Sequence, residues 1–248
     1  MRAILLAAGM GRRIGGEEGH PPKCLLQFGG KSLLHRHLEL LRHSGIREVI
    51  LGVGFKAEMI QAELDTLGAD GFARTVFNPH YEEGSNLTLW SLRDELIQGD
   101  EALLMDTDVL YDHRMIKTLI NTSHENCFLM DREFEPGDEP VKLCVQGGEL
   151  VDFRKHIEVS FDFCGESVGF FLLKNTICRK LIEACEYFTR QPEECYEEAL
   201  REILLNSPPG TFGYEDITGL PWTEIDFPED IEKARDVILP LLQGAHRE

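Results

Sequence analysis

The first 130 residues alternate short apolar runs with segments in which apolar positions recur at helical spacing. This alternation is typical of βαβ units on a parallel sheet. The strands predicted from the apolar runs are Ala3–Ala8, Glu48–Val53, Arg74–Phe77, Ala102–Met105 and Phe128–Met130. The helices predicted between them are residues 33–43, capped by Ser32 and ended before Gly45, then Lys56–Leu67, Ser85–Leu96 and Met115–Asn121. The run at Ala3–Ala8 predicts a central strand that is buried on both faces.

The pattern changes after residue 131, where two short alternating runs flank Gly147-Gly148 and predict an antiparallel hairpin. The remaining predicted elements are the hairpin strands Val141–Val145 and Leu150–Phe153, strand Val168–Leu173, helices Asn175–Arg190 and Pro192–Leu205, strand Trp222–Asp226 and a helix from Pro228 to about Leu241. We therefore expect a single α/β domain over residues 1–248, with three α/β/α layers and a mainly parallel mixed central sheet.

The net charge limits the classes of ligand that the protein can bind. The chain has 25 Lys+Arg and 44 Asp+Glu, which give a net charge of −19, and it has no basic run. Such a chain repels nucleic acid and anionic lipid, so a phosphorylated ligand needs a few well-placed cations or a metal. No apolar run reaches the roughly 20 residues of a membrane span. Seven scattered cysteines without a C-x-x-C pair predict reduced structural thiols in a cytoplasmic protein. His35, His37 and His43 lack metal-ligand spacing and are predicted to be surface residues of one helix.

A glycine-rich loop follows the first predicted strand, and ligands of open α/β sheets bind at this end of a strand. Gly9 and Gly11 allow the backbone to approach a phosphate. Three cations lie close by in sequence: Arg12, Arg13 and Lys23. A dinucleotide fingerprint is excluded by Ile14, and a P-loop is excluded by Leu25, since each motif requires glycine there. A solvated glycine-rich turn remains the alternative interpretation of the loop.

Two acidic segments are candidates for metal binding. Asp106 and Asp108 end a short apolar strand, where Mg²⁺ would be held by one or two carboxylates together with phosphate oxygens. The alternative is a pair that caps the next helix. Asp226, 118 residues after Asp108, precedes the last predicted helix and is either a second metal ligand or an N-cap. A phosphatase of the D-x-D-x-T type is disfavoured because position 110 is Leu110.

Taken together, these segments resemble the GT-A-like nucleotidyltransferases, and among them the small CTP-dependent cytidylyltransferases. The pattern L-A-A-G-x-G-x-R followed by P-K is met by Leu6-Ala7-Ala8-Gly9-Met10-Gly11-Arg12-Arg13 and Pro22-Lys23. The other matches are a helix start near Ser85-Asn86-Leu87, the D-x-D pair and the late Glu224-Ile225-Asp226. The resemblance spans nearly the whole chain and implies a GT-A or Rossmann-like fold, with a nucleotide-binding part at residues 1–131 and an acceptor-binding part at 132–248.

The resemblance also implies roles for individual residues. Arg12, Lys23 and Asp108 would be catalytic, and Asp108 with Asp226 would bind Mg²⁺. The nucleotide would be bound by Ala7, Ala8, Gly9, Gly11, Arg13, Ser85, Asn86 and Asp106. Lys142 would bind the acceptor phosphate. Tyr196 with Glu197 would meet an ammonium group, for which the alternative is a solvated first helical turn.

The reaction implied is transfer of CMP from CTP to phosphocholine, phosphoethanolamine, 2-aminoethylphosphonate or inositol phosphate, with release of pyrophosphate. The acceptor is already an anion, so the attack requires no protein nucleophile. A sugar-1-phosphate nucleotidyltransferase, a GT-A glycosyltransferase and a regulatory nucleotide-binding domain are the alternatives. The expected partners are CTP and the acceptor, with no nucleic acid and no membrane insertion. A homodimer is one of the expected oligomeric states.

Overall fold

The computed structural model describes residues 1–15, 20–135, 137–188 and 195–245. Its strands are β1 (Arg2–Ala7), β2 (Gln27–Phe28), β3 (Lys31–Ser32), β4 (Glu48–Val53), β5 (Ala73–Phe77), β6 (Glu101–Asp106), β7 (Val109–Tyr111), β8 (Cys127–Asp131), β9 (Lys142–Gln146), β10 (Glu149–Arg154), β11 (Phe163–Lys174), β12 (Gly213–Asp216) and β13 (Trp222–Glu224). Its helices are α1 (Arg12–Gly15), α2 (Leu33–His43), α3 (Ala57–Thr66), α4 (Ser85–Ser91), α5 (Arg93–Leu96), α6 (His113–Ile120), α7 (Asn175–Phe188), α8 (Tyr196–Leu205), α9 (Pro228–Lys233) and α10 (Leu239–Ala245).

The central sheet is mixed and has the strand order β10-β9-β11-β6-β1-β4-β5, with β8 beside β11 and β12 beside β8. The strands β5, β4, β1 and β6 are mutually parallel, whereas β11 joins β6 in the antiparallel sense. Residues Ala3, Ile4 and Leu5 in the middle of β1 are fully buried, which explains the uninterrupted apolar run. The parallel strands end at the same edge of the sheet. The glycine-rich loop begins there, after β1, and Asp106 is the last residue of β6 at this edge.

Helices cover both faces of the sheet, so the predicted three-layer α/β/α architecture is confirmed. One face packs against α2, α3 and α6, through residues such as Leu38, Ile60 and Ile116. The opposite face packs against α4, α5, α7 and α8. The C-terminal segment, in which a π-helical turn joins α9 and α10, packs on a separate small cluster that includes Phe28 and Ile225.

Several predicted elements have different bounds in the structure. The predicted helix Ser85–Leu96 is two short helices that meet at Leu92. The hairpin is confirmed, because β9 and β10 are antiparallel and both glycines of the turn have positive φ. Residues 189–190 and 192–194 of the predicted helices lie outside the described part of the chain. The prediction of a surface His37 is wrong: the side chain is fully buried on α2, and its Nδ1 lies 3.2 Å from the Tyr111 hydroxyl.

The cap of α2, the cysteines and the helix lengths can be compared with the sequence predictions. Ser32 caps α2 by accepting a hydrogen bond from the His35 amide at 3.0 Å. All seven cysteines are free thiols, and five of them are buried. Within the residues that the structure describes, no helix has the length and apolarity needed to cross a bilayer.

Candidate active site

The glycine-rich loop leaves the end of β1 and turns into the short helix α1. Gly11 has φ +60°, and a Cβ atom there would lie 3.0 Å from His20 and 3.1 Å from Lys23, so the backbone conformation and the close packing both favour glycine. The loop borders a cavity of about 430 Å³ at the carboxyl end of the sheet. The position agrees with the rule for ligand sites in open α/β sheets.

Among the described residues, Lys23 is one of three cations that line this cavity. Its Nζ donates hydrogen bonds to Asp108 Oδ2 at 2.9 Å and to Asp226 Oδ1 at 2.5 Å. Burial by itself would lower the pKa of Lys23, but the two carboxylates raise this pKa above its ordinary value. The side chain is therefore a fixed positive charge that joins segments 203 residues apart.

Three carboxylates surround this ammonium group. One oxygen each of Asp108, Glu224 and Asp226 lie within 4.8 Å of one another. Burial, together with the neighbouring charges of Asp108 and Asp226, raises the pKa of Glu224 well above its ordinary value. Burial would also raise the pKa of Asp226, but Lys23 and Arg13 hold this pKa below its ordinary value. Such a set of oxygen donors has the chemistry of a site for a hard divalent cation.

Neither acidic segment acts as a helix cap. Asp112 caps α6 by accepting a hydrogen bond from the Arg114 amide at 2.8 Å. At the last helices, Asp230 accepts hydrogen bonds from the amides of Asp226 and Phe227. The carboxylate of Asp226 is thereby left to Lys23 and Arg13.

Asp106, the first acid of the D-x-D pair, has a different environment from Asp108. Its Oδ2 accepts a hydrogen bond from the Tyr196 hydroxyl at 2.7 Å. A Cβ atom on Gly169, which has φ +77°, would lie 2.2 Å from the same oxygen. Burial and the charges of Asp108 and Glu197 raise the pKa of Asp106 well above its ordinary value. Asp106 therefore links β6 to α8 beside the three-carboxylate group.

Tyr196 is buried, with 2% of its surface exposed, and its ring packs edge-on against Phe171 at 6.2 Å between centroids. The ring face is therefore not available as part of an ammonium cage. Glu197 follows it at the start of α8, and its Oε2 atom is buried without a hydrogen-bond partner. Burial raises the pKa of Glu197, which the neighbouring Cys195 and Lys155 partly offset. Of this pair, only the carboxylate offers an unpaired polar atom.

A second cavity, of about 1130 Å³, adjoins the first and shares part of its wall. The shared residues are Arg13, Asp106, Cys195, Glu197, Glu224 and Asp226. We call the first cavity nucleotide-side and the second acceptor-side, by the parts of the chain predicted for each ligand. Among the described residues, eleven Asp and Glu but only four Lys and Arg line the acceptor-side cavity.

Glu139 is held by two cations at the boundary of the cavities. Its Oε2 lies 3.2 Å from Arg13 and 3.1 Å from the Nζ of Lys155. Both cations are about half exposed, at 49% and 41% of their side-chain surface. A carboxylate bound in this way marks a place where a phosphate would meet the same two donors.

Most of the residues predicted from the sequence meet at these cavities. The nucleotide-side cavity is lined by Ala7, Ala8, Gly9, Gly11, Arg12, Arg13, Lys23, Ser85, Asp106, Asp108, Tyr196, Glu197 and Asp226. Two predicted residues are not among those that line this cavity. Asn86 is 1% exposed and accepts a weak hydrogen bond from the Cys185 thiol. Lys142 Nζ donates to the backbone carbonyls of Gly137, Pro140 and Lys155.

Sequence reasoning missed three functional candidates. Glu224 belongs to the late E-I-D motif, and the signal for it as a ligand is its position at the end of β13, two residues before Asp226. Lys155 and Glu139 lie in loops without periodicity, so no local pattern identified them. Only the fold brings both of them to Arg13.

Comparison with known proteins adds three findings. Residues 3–187 match the sequence family described as MobA-like NTP transferase domain. The chain is 28% identical over 242 residues to the bifunctional IPC transferase and DIPP synthase of Thermococcus kodakarensis, covering 96% of this chain and 50% of that protein. It is 21% identical to the CTP:phosphoglutamine cytidylyltransferase of Campylobacter jejuni, covering 94% of this chain and 98% of that protein.

Among solved structures, the inositol-1-phosphate CTP transferase from T. maritima superposes with a TM-score of 0.75 at 19% identity, over 98% of this chain and 94% of that one. This likeness establishes the GT-A-like nucleotidyltransferase fold. The chain spans about half the length of the bifunctional relatives that it matches.

Proposed function

Since the chain belongs to the family of MobA-like NTP transferase domains, we propose that it transfers CMP from CTP to a small phosphorylated or phosphonylated acceptor and releases pyrophosphate. The observation that carries the proposal is Lys23, whose ammonium group lies between Asp108 and Asp226 beside the glycine-rich loop. Cations and carboxylates at one sheet edge are what a triphosphate and its counter-ion require.

The nucleotide-side cavity supplies groups for the triphosphate. Backbone amides at Gly9 and Gly11 approach the phosphates, and Arg12 and Arg13 extend from the following turn of helix. Lys23 offsets charge at the α-phosphate when an acceptor oxygen attacks it in line and pyrophosphate leaves on the opposite side. Because the acceptor is already an anion, the protein's task is to position two anions and to stabilise their charge.

Asp108, Glu224 and Asp226 fit Mg²⁺, because their oxygens converge and the group already attracts the ammonium of Lys23. When bound there, the ion supplies positive charge for the phosphate oxygens. Asp106, fixed by Tyr196, contributes to the position of this group without facing it directly. The three ligands proposed are therefore one more than the sequence indicated.

For the acceptor phosphate, Arg13 and Lys155 are the proposed ligands, because they already hold the Glu139 carboxylate together. This assignment replaces Lys142, which keeps a supporting role through its hydrogen bond to the Lys155 carbonyl at 2.8 Å. Displacement of Glu139 by a phosphate would leave both cations paired.

The acid excess of the acceptor-side cavity favours an acceptor that carries an amine as well as a phosphate or phosphonate. A cationic nitrogen would offset the buried charge near Glu197, whereas a polyol would only donate hydrogen bonds. We therefore favour phosphocholine, phosphoethanolamine or 2-aminoethylphosphonate over inositol phosphate. With Tyr196 buried, Glu197 is the proposed contact, and a primary ammonium group suits this carboxylate better than the quaternary ammonium of phosphocholine, which an aromatic cage would favour.

The test is a matrix of CTP, UTP, GTP, ATP and dTTP against these four acceptors and hexose 1-phosphates, read as pyrophosphate release with Mg²⁺. We expect turnover with CTP and an amine-bearing acceptor. Turnover only with hexose 1-phosphates would make the protein a sugar nucleotidyltransferase. If none of the acceptors gives pyrophosphate release, and an NDP-sugar added in a separate assay is consumed, the result would contradict the proposal in favour of a glycosyltransferase.

A further inference from the structure

Two cysteines face each other across neighbouring strands of the sheet. Cys144 on β9 lies opposite Cys164 on β11 in an antiparallel pairing. The Ser167 amide donates to the Val141 carbonyl at 2.8 Å in the same ladder. Ser167 and Val141 therefore form a hydrogen-bonded pair, and hydrogen-bonded and non-hydrogen-bonded pairs alternate along such a ladder. The two cysteines lie three positions away from this pair, so they form a non-hydrogen-bonded pair.

This type of pair has the geometry that a disulfide needs. Opposite Cα atoms in a non-hydrogen-bonded pair are typically about 4.5 Å apart, with side chains on the same face of the sheet. Disulfides form between Cα atoms roughly 4.4–6.8 Å apart. In the described part of the chain, the strand registers place no other two cysteines opposite each other. The pair is therefore distinct among the seven thiols.

The two thiols differ in access to solvent. Cys164 is partly exposed, whereas Cys144 is fully buried. Burial and the neighbouring Cys164 raise the pKa of Cys144 to about 12, so its thiolate is scarce at neutral pH. Cys164 is the thiol that a reagent in water meets first, and Cys144 is placed to react with the product.

We propose that a peroxide converts Cys144 and Cys164 into a cross-strand disulfide. The Cys164 thiolate attacks one peroxide oxygen, the O–O bond breaks, and water leaves after protonation, which gives a sulfenic acid. The Cys144 sulfur then attacks the Cys164 sulfur, the S–O bond breaks, and a second water leaves. Two thiols lose two electrons and two protons, and one hydrogen peroxide becomes two waters.

The bridge would lie beside the acceptor-side cavity. Glu166 and Lys142 form the next pair on the same face of the two strands, and Glu166 lines that cavity. A disulfide would fix the two strands to each other at this wall. The proposal concerns the thiols alone, so it stands or falls independently of the transferase reaction.

The experiment treats the full chain with hydrogen peroxide at low molar excess, then alkylates the remaining thiols under denaturing conditions. Relative to a reduced and fully alkylated control, we expect two fewer alkyl groups, one non-reduced peptide pair that joins Cys144 to Cys164, and reversal by dithiothreitol. We also expect the melting temperature to rise by roughly 5 °C, since the bridge restricts the unfolded chain.

Matched variants give the controls. Cys195→Ser removes the exposed thiol and should leave the bridge unchanged. Cys144→Ser and Cys164→Ser should each abolish the bridge, and alanine replaces serine wherever serine prevents folding. An oxidised Cys164 in a chain whose Cys144 still alkylates, or a bridge between any other two cysteines, would overturn the proposal.

Discussion

The nucleotide-side and acceptor-side cavities share a wall but are built on different principles. The first is bordered by the glycine-rich loop and by residues of α4, α8 and the two acidic segments, with Arg12, Arg13 and Lys23 as its cations. The second is more than twice as large and collects side chains from strands, helices and loops around residues 131–135, 137–141, 153–155, 166–171 and 219–241. It is also dominated by acids. In the proposed function, a triphosphate would meet the loop and three cations beside six acids, whereas the acceptor would meet eleven acids and four cations, counted over the part of the chain that the structure describes.

In the proposed function, a chain of net charge −19 binds two anionic ligands, and the difference between the cavities explains how it could do so. The cations are few, and Lys23 and Arg13 each contact Asp226, where the two cavities meet. The remaining acids are not merely solvating, because several of them line the acceptor side. The comparison predicts that variants on the two sides separate into effects on turnover and effects on the acceptor KM.

Lys23→Ala should produce the largest effect, a fall in kcat on the order of 10²–10³-fold, since it removes the central charge of the nucleotide side. The measurement is pyrophosphate release under saturating substrates, with circular dichroism to verify folding. Lys31→Ala is the control, because Lys31 pairs with the exposed Glu39 and lies outside both cavities. Near-normal turnover of a folded Lys23→Ala protein would show that Lys23 has no role in the reaction.

Lys155→Ala should raise the acceptor KM by about 10–30-fold while the KM for CTP changes little, because one charge-assisted contact to the acceptor phosphate is lost. Steady-state kinetics with each substrate varied in turn measures the separation. Lys142→Ala is the matched variant: it should lower the melting temperature through its lost carbonyl contacts. If a fully folded Lys142→Ala protein showed a larger rise in the acceptor KM than Lys155→Ala, Lys142 would again be the proposed ligand of the acceptor phosphate.

Glu197→Gln should raise the KM of an amine-bearing acceptor about fivefold, since a neutral amide loses the attraction to an ammonium group but keeps the shape. The informative number is the ratio between phosphoethanolamine and its hydroxyl analogue, ethylene glycol phosphate. Glu198→Gln serves as the control, because Glu198 pairs with Arg201 at 3.7 Å on the same helix. Equal changes for both acceptors would identify Glu197 as a structural acid.

Glu166→Gln should have the smallest effect on turnover, and its effect is on stability instead. Burial, with the charge of Asp131, raises the pKa of Glu166 to about 7. The folded wild type then holds a proton that the unfolded chain releases near pH 4.5, so wild-type stability falls as pH rises between these values. Relative to wild type, the variant should gain up to about 3 kcal/mol above pH 7 and nothing below pH 4. Urea unfolding across this range measures the gain, and a pH-independent difference would contradict the raised pKa.

Much of the fold could be predicted from local pattern. The run at β1 and the glycine pair of the β9–β10 hairpin each depend on neighbouring residues alone. The prediction failed where tertiary packing outweighs that pattern, as for His37, a polar residue that the fold buries against Tyr111. It also failed at Leu92, where one amphipathic segment divides into two helices.

The sequence by itself determined the chemistry of the nucleotide side, because the glycines, the cations and the D-x-D pair are close to strand ends that the apolar pattern reveals. Tertiary structure alone decided which charges meet. Lys23 reaches Asp108 across 85 residues and Asp226 across 203 residues. The choice of Lys155 over Lys142 depends on which way each side chain points in a loop. Periodicity fixes the face of a regular element, whereas contacts between distant loops depend on the packing of the whole sheet.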